Sequence, residues 1–447
     1  TRYWRDWSSD VCSSDLAAVV VAVLALWACY LPQLTVFRAA PDGGLSFAHL
    51  ARAYSGALAG PLDLLGRAGV FPEPWVHDVR LFLATTSLRR AYLGGEYSVG
   101  GWWHFFPVAW FLKSPVPYLL ALLGAAAALA WGCVIAPVFG GSPASRAAGG
   151  GPGRRLALEL VPLGALTGVY LAASMTSGLN IGLRHLLPVF PPLFILAGAA
   201  ALLPVARRWR PAAGAALLLW SAAELWSVRG QYLSYFNAFA GGPREGHRHL
   251  VDSSYEWGQD LPALEAWLDR RREGGDARPA YLSYFGNADL RRFRLGATVP
   301  LPQFYDLRPP AVAALEPGTY VISATMLRSV YGPLFGPWRP SHEARFQELR
   351  GEHARVLAEI LRPGVQLTLK ADEWERVRLF EWLRFNRLCA YLRGRGPDSR
   401  VTHGLLVYEL SGAELAVALD GPPAELASED AVLGSKARGQ ESLDFLK

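Results

Sequence analysis

Cysteine is scarce. Four occur in 447 residues (Cys12, Cys29, Cys133 and Cys389), and two of these lie inside apolar runs. That spacing builds neither a disulfide framework nor a metal knuckle, so it leaves the redox compartment unread. A Gly-rich phosphate cradle, a strand–turn–helix nucleophile elbow and a metalloprotease helix are missing as well. The net charge of +6 is carried by Arg far more than by Lys, yet no basic helix or nucleic-acid motif accompanies it. Anionic lipid and lipid phosphate suit such a balance better than nucleic acid does.

What the chain has in quantity is apolar surface. Hydrophobic residues make up 51%, mean hydropathy is +0.17, and there are 16 Trp, a residue favoured at membrane interfaces. A spanning helix needs about 20 apolar residues. Five runs approach that: Ala17–Phe37, Val116–Phe139, Leu156–Met175 with Glu159, Leu186–Ala206 with four prolines, and Ala212–Val228 with Glu224. Between the second and third, Arg146, Arg154 and Arg155 stand without an acid; between the fourth and fifth lie Arg207, Arg208 and Arg210. The positive-inside rule makes both loops cytoplasmic. The loop Arg38–Pro115, the turn Thr176–Arg184 and everything after Val228 then face outward. Within that loop, GGWWHFFPVAWFLKSPVP is too short to span alone and reads as an interfacial or re-entrant helix.

After Val228 charges become frequent. Ala280–Phe285, Thr319–Thr325 and Gly404–Leu410 read as strands. Asp260–Arg272 reads as a helix with Asp260 as N-cap, and His342–Leu361 and Trp374–Arg393 as amphipathic helices. The expected architecture is a mainly α transmembrane bundle over residues 17–228, then a small outward-facing α/β domain over 229–420 and a loose tail over 421–447. Residues 1–16 stand apart. DWSSDVCSSDL matches a common sequencing-library adapter read in frame, so this stretch is expected to be non-native and the chain to be a fragment cut upstream of Ala17.

At the expected outer face gather Lys113, Asn180, Arg184 and His185, with His77, Asp78 and Glu96 in the neighbouring loop. An Arg grips phosphate oxygens through two donors, and an adjacent His moves a proton. An Arg at a helix end also commonly snorkels to headgroups. His247 and His249 lack a third ligand, so no metal site is expected. Asp252, Glu256, Trp257, Gln259 and Asp260 crowd one loop. That set suits a sugar, and equally suits helix capping with a docking anchor. The hexad YLSYFN at Tyr232 recurs as YLSYFG at Tyr281, without similarity around it.

Three segments, EYSVGGWWHFFPVAWFLKSPVP (Glu96–Pro117), NIGLRHLLPVFP (Asn180–Pro191) and FNAFAGGP…LVDSSYEWGQDL (Phe236–Leu261), together resemble bacterial membrane glycosyltransferases. These are the phospholipid-carrier-dependent enzymes related to protein O-mannosyltransferases (GT-C fold, family 39-like). The resemblance implies the C-terminal part of that fold, in the plasma membrane. It implies transfer of a sugar, with inversion, from a polyprenyl-phosphate carrier to an outer-face glycan, lipid or protein acceptor, with no cofactor beyond the lipid-linked donor. It assigns Arg184, His185 and Lys113 to the carrier phosphate, and Glu96, Trp102, Trp103 and Asn180 to the cavity. Asp252, Trp257, Gln259 and Asp260 fall at the domain junction or acceptor side. The family's catalytic Asp lies in its first outer loop, which this chain does not contain, so the main base is expected upstream. The rival expectation is a non-enzymatic transporter or assembly scaffold for polysaccharide or lipid.

Overall fold

The computed structural model describes residues 20–30, 59–72, 74–76, 78–79, 89–131, 152–203, 206–276, 278–296, 298–304, 312, 314–360 and 369–433. The adapter-like stretch 1–16, the loop carrying Arg146 and the end of the tail lie outside them. The chain divides into two units, Thr1–Arg89 and Arg90–Lys447. In the first, helices α1 (Val20–Tyr30) and α2 (Ala59–Ala68) are described. There Trp27 Nε1 donates to Val70 O at 3.0 Å, and Tyr30 Oη donates to Asp78 Oδ2 at 3.0 Å.

The second unit opens with a hairpin of β1 (Ala91–Leu93) and β2 (Glu96–Ser98), turned by Gly94 and Gly95. Helices α3 (Phe105–Lys113), α4 (Val116–Ala130), α5 (Pro152–Thr176), α6 (Phe190–Gly198) and α7 (Arg210–Ser227) follow. A 3₁₀ helix, Leu183–Val189, leads into α6.

Among the described residues one run, Leu183–Leu202, is long and apolar enough to cross a membrane. A second arises only if α3 and α4 form one broken or re-entrant span. The described residues thus supply by length and composition fewer than the five expected runs. Arg154, Arg155 and Glu159 dilute α5, and Arg210, Ser221 and Glu224 dilute α7. Even so, α7 buries none of its residues, and Leu218 and Leu219 are 73% and 71% exposed. Val161, Leu166 and Val169 of α5, Phe194 and Ile195 of α6, and Leu123 of α4 are exposed too.

The α3–α4 junction bends by 114° for a local reason. Ser114 precedes a proline and is extended (φ −94°, ψ 138°), the conformation that proline imposes on its neighbour. The bend frees the last carbonyls of α3 and the first N–H groups of α4. Asn237 takes up the carbonyls. Its Nδ2 donates to Phe111 O at 2.6 Å and to Ser114 O at 3.0 Å, and its backbone N–H donates to Leu112 O at 2.9 Å. On the other side Glu224 Oε2 accepts the Val116 N–H at 3.3 Å and the Tyr235 hydroxyl at 2.6 Å. Glu224, an acid within an apolar run by sequence, is therefore a helix-end partner. It also sets the start of α4 beside the end of α7.

The polar half is built on a sheet of β3 (Ala280–Ser283), β4 (Thr298–Pro300), β5 (Gly318–Ser323), β6 (Ser399–Arg400) and β7 (Leu405–Leu410), in the order β4-β3-β5-β7-β6. β3 runs parallel to β4 and β5, and β7 is antiparallel to β5 and β6. Both faces are covered, which is why these strands read as nearly unbroken apolar runs. Leu282, Val321, Leu405 and Val407 meet Leu261, Leu264 and Leu268 of α8 (Leu261–Glu273). Tyr281, Tyr320, Ile322, Leu406 and Tyr408 face the other core, with Phe385, Leu388 and Leu392. The remaining helices are α9 (Ala324–Leu327), α10 (Pro340–Ile360), α11 (Ala371–Arg395) and α12 (Gly412–Leu419), and β8 (Val432–Leu433) pairs in parallel with β2.

Asp260 holds the N-cap position of α8 but makes no side-chain cap, so the expected capping role is corrected: its carboxyl turns inward. The two YLSYF hexads differ in structure, one a 3₁₀ turn at Tyr232–Ser234 and the other strand β3, as two unrelated stretches would. Replacing Asn237 by Ala leaves two partly buried carbonyls without their donor. At about 1–3 kcal/mol for each group left unpaired, Asn237→Ala is expected to cost about 3 kcal/mol. The check is the thermal midpoint of the purified chain, which should fall by several degrees.

Candidate functional site

The three segments that carry the family resemblance meet in space. Asn180 Oδ1 accepts the Trp102 N–H at 2.5 Å, tying the turn after α5 to the start of α3. Gly101 sits there at φ 72°, and a Cβ on it would stand 2.3 Å from Asn180 Oδ1, so glycine is required on both counts. One step along, Ser253 Oγ donates to Ile181 O at 2.9 Å, and Ser254 Oγ accepts the Leu183 N–H at 3.3 Å. A Cβ on Gly182 would lie 2.5 Å from Ser253 Oγ. Lys113 closes the arrangement. Its ammonium donates to Leu233 O at 2.8 Å, Tyr235 O at 3.0 Å and Ser254 O at 2.5 Å, and it lies 4.4 Å from the centre of the Phe236 ring. Three carbonyls match the three donors of an ammonium. Lys113, expected beside the carrier phosphate, has its hydrogen-bonding capacity committed to the protein backbone.

Arg184 emerges from this join. It is exposed, its guanidinium lies 5.9 Å from the Trp257 ring centre, and it has no acidic partner among the described residues. Trp257, itself 42% exposed, packs on Phe285 at 5.2 Å and Phe304 at 6.2 Å. Phe304 and Phe285 in turn pack on Tyr331 at 4.7 and 5.4 Å. Tyr331 donates its hydroxyl to Asp252 Oδ2, and Asp252 Oδ1 accepts the Ser253 N–H at 2.5 Å. Asp252 is held at φ 59°, a left-handed conformation that Asp tolerates better than most side chains. Phe285 and Phe304 follow the carboxyl ends of parallel strands β3 and β4, and Tyr331 lies just past the short helix α9 that succeeds β5, on the edge at which open α/β sheets bind ligands.

The structure therefore brings Arg184, Asn180, Asp252 and Trp257 into one contact network. Gln259 serves the same loop, its Oε1 accepting the Trp257 N–H at 2.7 Å and its Nε2 donating to Asp260 Oδ2 at 3.3 Å. Glu96 lies exposed next to the hairpin turn and Trp103 is exposed just before α3, its ring against that of His104; neither has a hydrogen bond or ring contact to Arg184 or Trp257 among the described residues. Trp102 bonds to Asn180 through its backbone, and its indole packs against the core that contains Phe285 and Leu186. His185 follows Arg184, and its carbonyl accepts the Tyr170 hydroxyl at 3.1 Å. His247 is buried in a 3₁₀ turn, its Nδ1 3.0 Å from Arg244 O, and burial pushes its pKa down to about 3. Among the described residues no three His, Cys, Asp or Glu side chains gather to hold a metal.

Sequence reasoning missed Phe285, Phe304 and Tyr331. Phe285 falls at the end of the expected strand Ala280–Phe285 and within the second repeat, YLSYFG, but neither signal marks it as part of a site. Glu256 was noted only as part of the crowded loop. It turns inward, Oε1 accepting the Thr325 N–H at 2.5 Å. Desolvation by burial pushes its pKa up to about 8, and that of Asp260, beside Thr402, up to about 6.

No family model, curated protein or solved structure matches the chain.

Because both carboxyls titrate higher in the folded chain, each holds its proton more firmly there than when unfolded. Their contribution to stability is complete below about pH 4 and is lost as the pH rises through 6 and then 8. Glu256→Gln should remove this residue's share of the pH dependence, so that between about pH 5 and pH 8 the thermal midpoint of the parent chain should lose more than that of Glu256→Gln. The same pH dependence in both chains would contradict the assignment.

Proposed function

We propose that this chain is part of a membrane glycosyltransferase, which receives a polyprenyl-phosphate-linked sugar at the outer face of the plasma membrane. The observation that carries the reading is Arg184. It is an exposed guanidinium without an acidic partner among the described residues, set against an exposed indole one residue into the apolar run Leu183–Leu202. Lipid phosphate lies at the depth where such a run would leave the hydrocarbon. A guanidinium matches two phosphate oxygens at once.

Further support comes from the helices. Faces as apolar and as exposed as those of α5, α6 and α7 are costly in water and are stable in lipid. The start of α4, the start of the Leu183–Leu202 run and the end of α7 lie close to the Lys113 carbonyl cluster or to Glu224. That grouping agrees with alternating helices whose polar domain sits on one side.

In the transfer, an acceptor hydroxyl attacks the anomeric carbon, the bond to the carrier phosphate breaks, and the configuration inverts. Arg184 stabilises the negative charge that the departing phosphate gains. The acceptor proton requires a base, and none of the described carboxylates is assigned to it. Asp252 is engaged by Tyr331, and Glu256 is turned onto Thr325. Asp252 and Tyr331 position the aromatic group on which Trp257 rests.

The test is binding of a short-chain polyprenyl phosphate to the detergent-solubilised chain. A hydrogen bond to a charged group contributes about 1.5–3 kcal/mol, so Arg184→Ala should weaken binding roughly ten- to hundredfold. Arg184→Lys should recover part of it, since a point charge replaces the two-pronged donor. Equal affinity of the parent chain and Arg184→Ala would remove Arg184 from the site.

A further inference from the structure

We propose that an aromatic collar around the α3–α4 junction seats in the headgroup layer of a phospholipid bilayer. The proposal rests on the membrane reading above and adds to it the level at which lipid gives way to water.

The collar is drawn from two separate stretches of sequence. Phe111 of α3 stacks on Phe239 with ring centres 5.3 Å apart, yet Phe239 is 63% exposed. Trp226, at the end of α7, is 68% exposed, and the Arg229 guanidinium lies over its ring at 5.0 Å. Tyr232 is exposed between them in sequence. These side chains are not on loose loops. Asn237, which holds the end of α3, also accepts the Phe239 N–H through Oδ1 at 3.0 Å, so the same side chain fixes the bend and presents the ring.

Two features select lipid headgroups over a protein partner. The first is continuity. On α7 the bare aliphatic face of Leu218 and Leu219 gives way, two turns later at the end of the helix, to the exposed aromatic Trp226, and past Gln231 the chain enters the charged half of the molecule. Aliphatic, then aromatic, then polar is the order a bilayer imposes along its normal. The second is Arg229, whose guanidinium lies over the exposed Trp226 indole and has no acidic partner among the described residues, a pairing that suits a phosphate at headgroup depth. The 114° bend adds to this, because it turns α3 across the direction of α4 instead of continuing it.

The experiment places nitroxide labels at Leu219→Cys, Phe239→Cys and Arg291→Cys, one per protein, in the full chain with Cys12, Cys29 and Cys133 replaced by Ser. Each is reconstituted in phosphatidylcholine–phosphatidylglycerol vesicles. Power saturation against oxygen and a water-soluble nickel chelate reads the depth of each label. The proposal expects position 219 in the acyl region, 239 at headgroup depth and 291 in water. Position 239 as open to nickel as 291, or as deep as 219, overturns the collar while leaving the membrane reading intact. Dipolar broadening at 239 from a second copy overturns it in favour of a protein interface. Positions 219 and 239 both in water would defeat the membrane reading itself.

Discussion

The ammonium of Lys113 binds three backbone carbonyls at once. Two belong to the segment after α7 and one to the loop that leads into α8. Lysine at the last turn of α3 is also favoured by the negative end of the helix dipole. Because the carbonyls come from backbone, the interaction fixes the path of the chain and not merely a side-chain pose. Asn237 takes the Phe111 and Ser114 carbonyls and Glu224 the first N–H of α4, so partners from elsewhere in the fold satisfy the backbone on both sides of the bend.

This constraint positions the site. Ser254 presents its carbonyl to Lys113 and its hydroxyl to the Leu183 N–H, so the start of the apolar run carrying Arg184 is set from the same residue. Trp257 follows three residues later and is backed by Phe285, Phe304 and Tyr331 on the carboxyl edge of the parallel strands. Arg184 and Trp257 come from segments far apart in sequence, yet a short chain of bonded backbone connects them. The strained Asp252 lies within that chain, and its hold on Tyr331 steadies the aromatic group from below.

Much of the polar half was legible. The strands over Ala280–Ser283, Gly318–Ser323 and Leu405–Leu410 and the three long helices were readable because β-branched and aromatic clusters, flanking turns and helical periodicity act locally. The site was legible only in pieces. Arg184, Trp257 and Asp252 stood out as residue types, but nothing in the sequence says that strands β3, β4 and β5 share an edge, so Phe285, Phe304 and Tyr331 stayed hidden. Lys113 was read as a cation for phosphate, since a sequence reveals charge but not the carbonyls that satisfy it. Asp260 was read as a cap because a carboxylate before a helix usually is one; here the pull of Thr402 and Gln259 turned it inward. The apolar runs were visible, while the proline-driven bend between two of them showed only as a pair of prolines.

Hydrogen exchange on Lys113→Met, measured in detergent beside the parent chain, tests the central claim most directly. Without the ammonium three carbonyls lose their donor, a destabilisation of about 3 kcal/mol or more. The account predicts that amide protection falls together in three stretches: residues 105–116, 231–237 and 250–257. Unchanged protection, or a loss confined to the end of α3, would contradict the view that this one side chain holds the three segments as a unit.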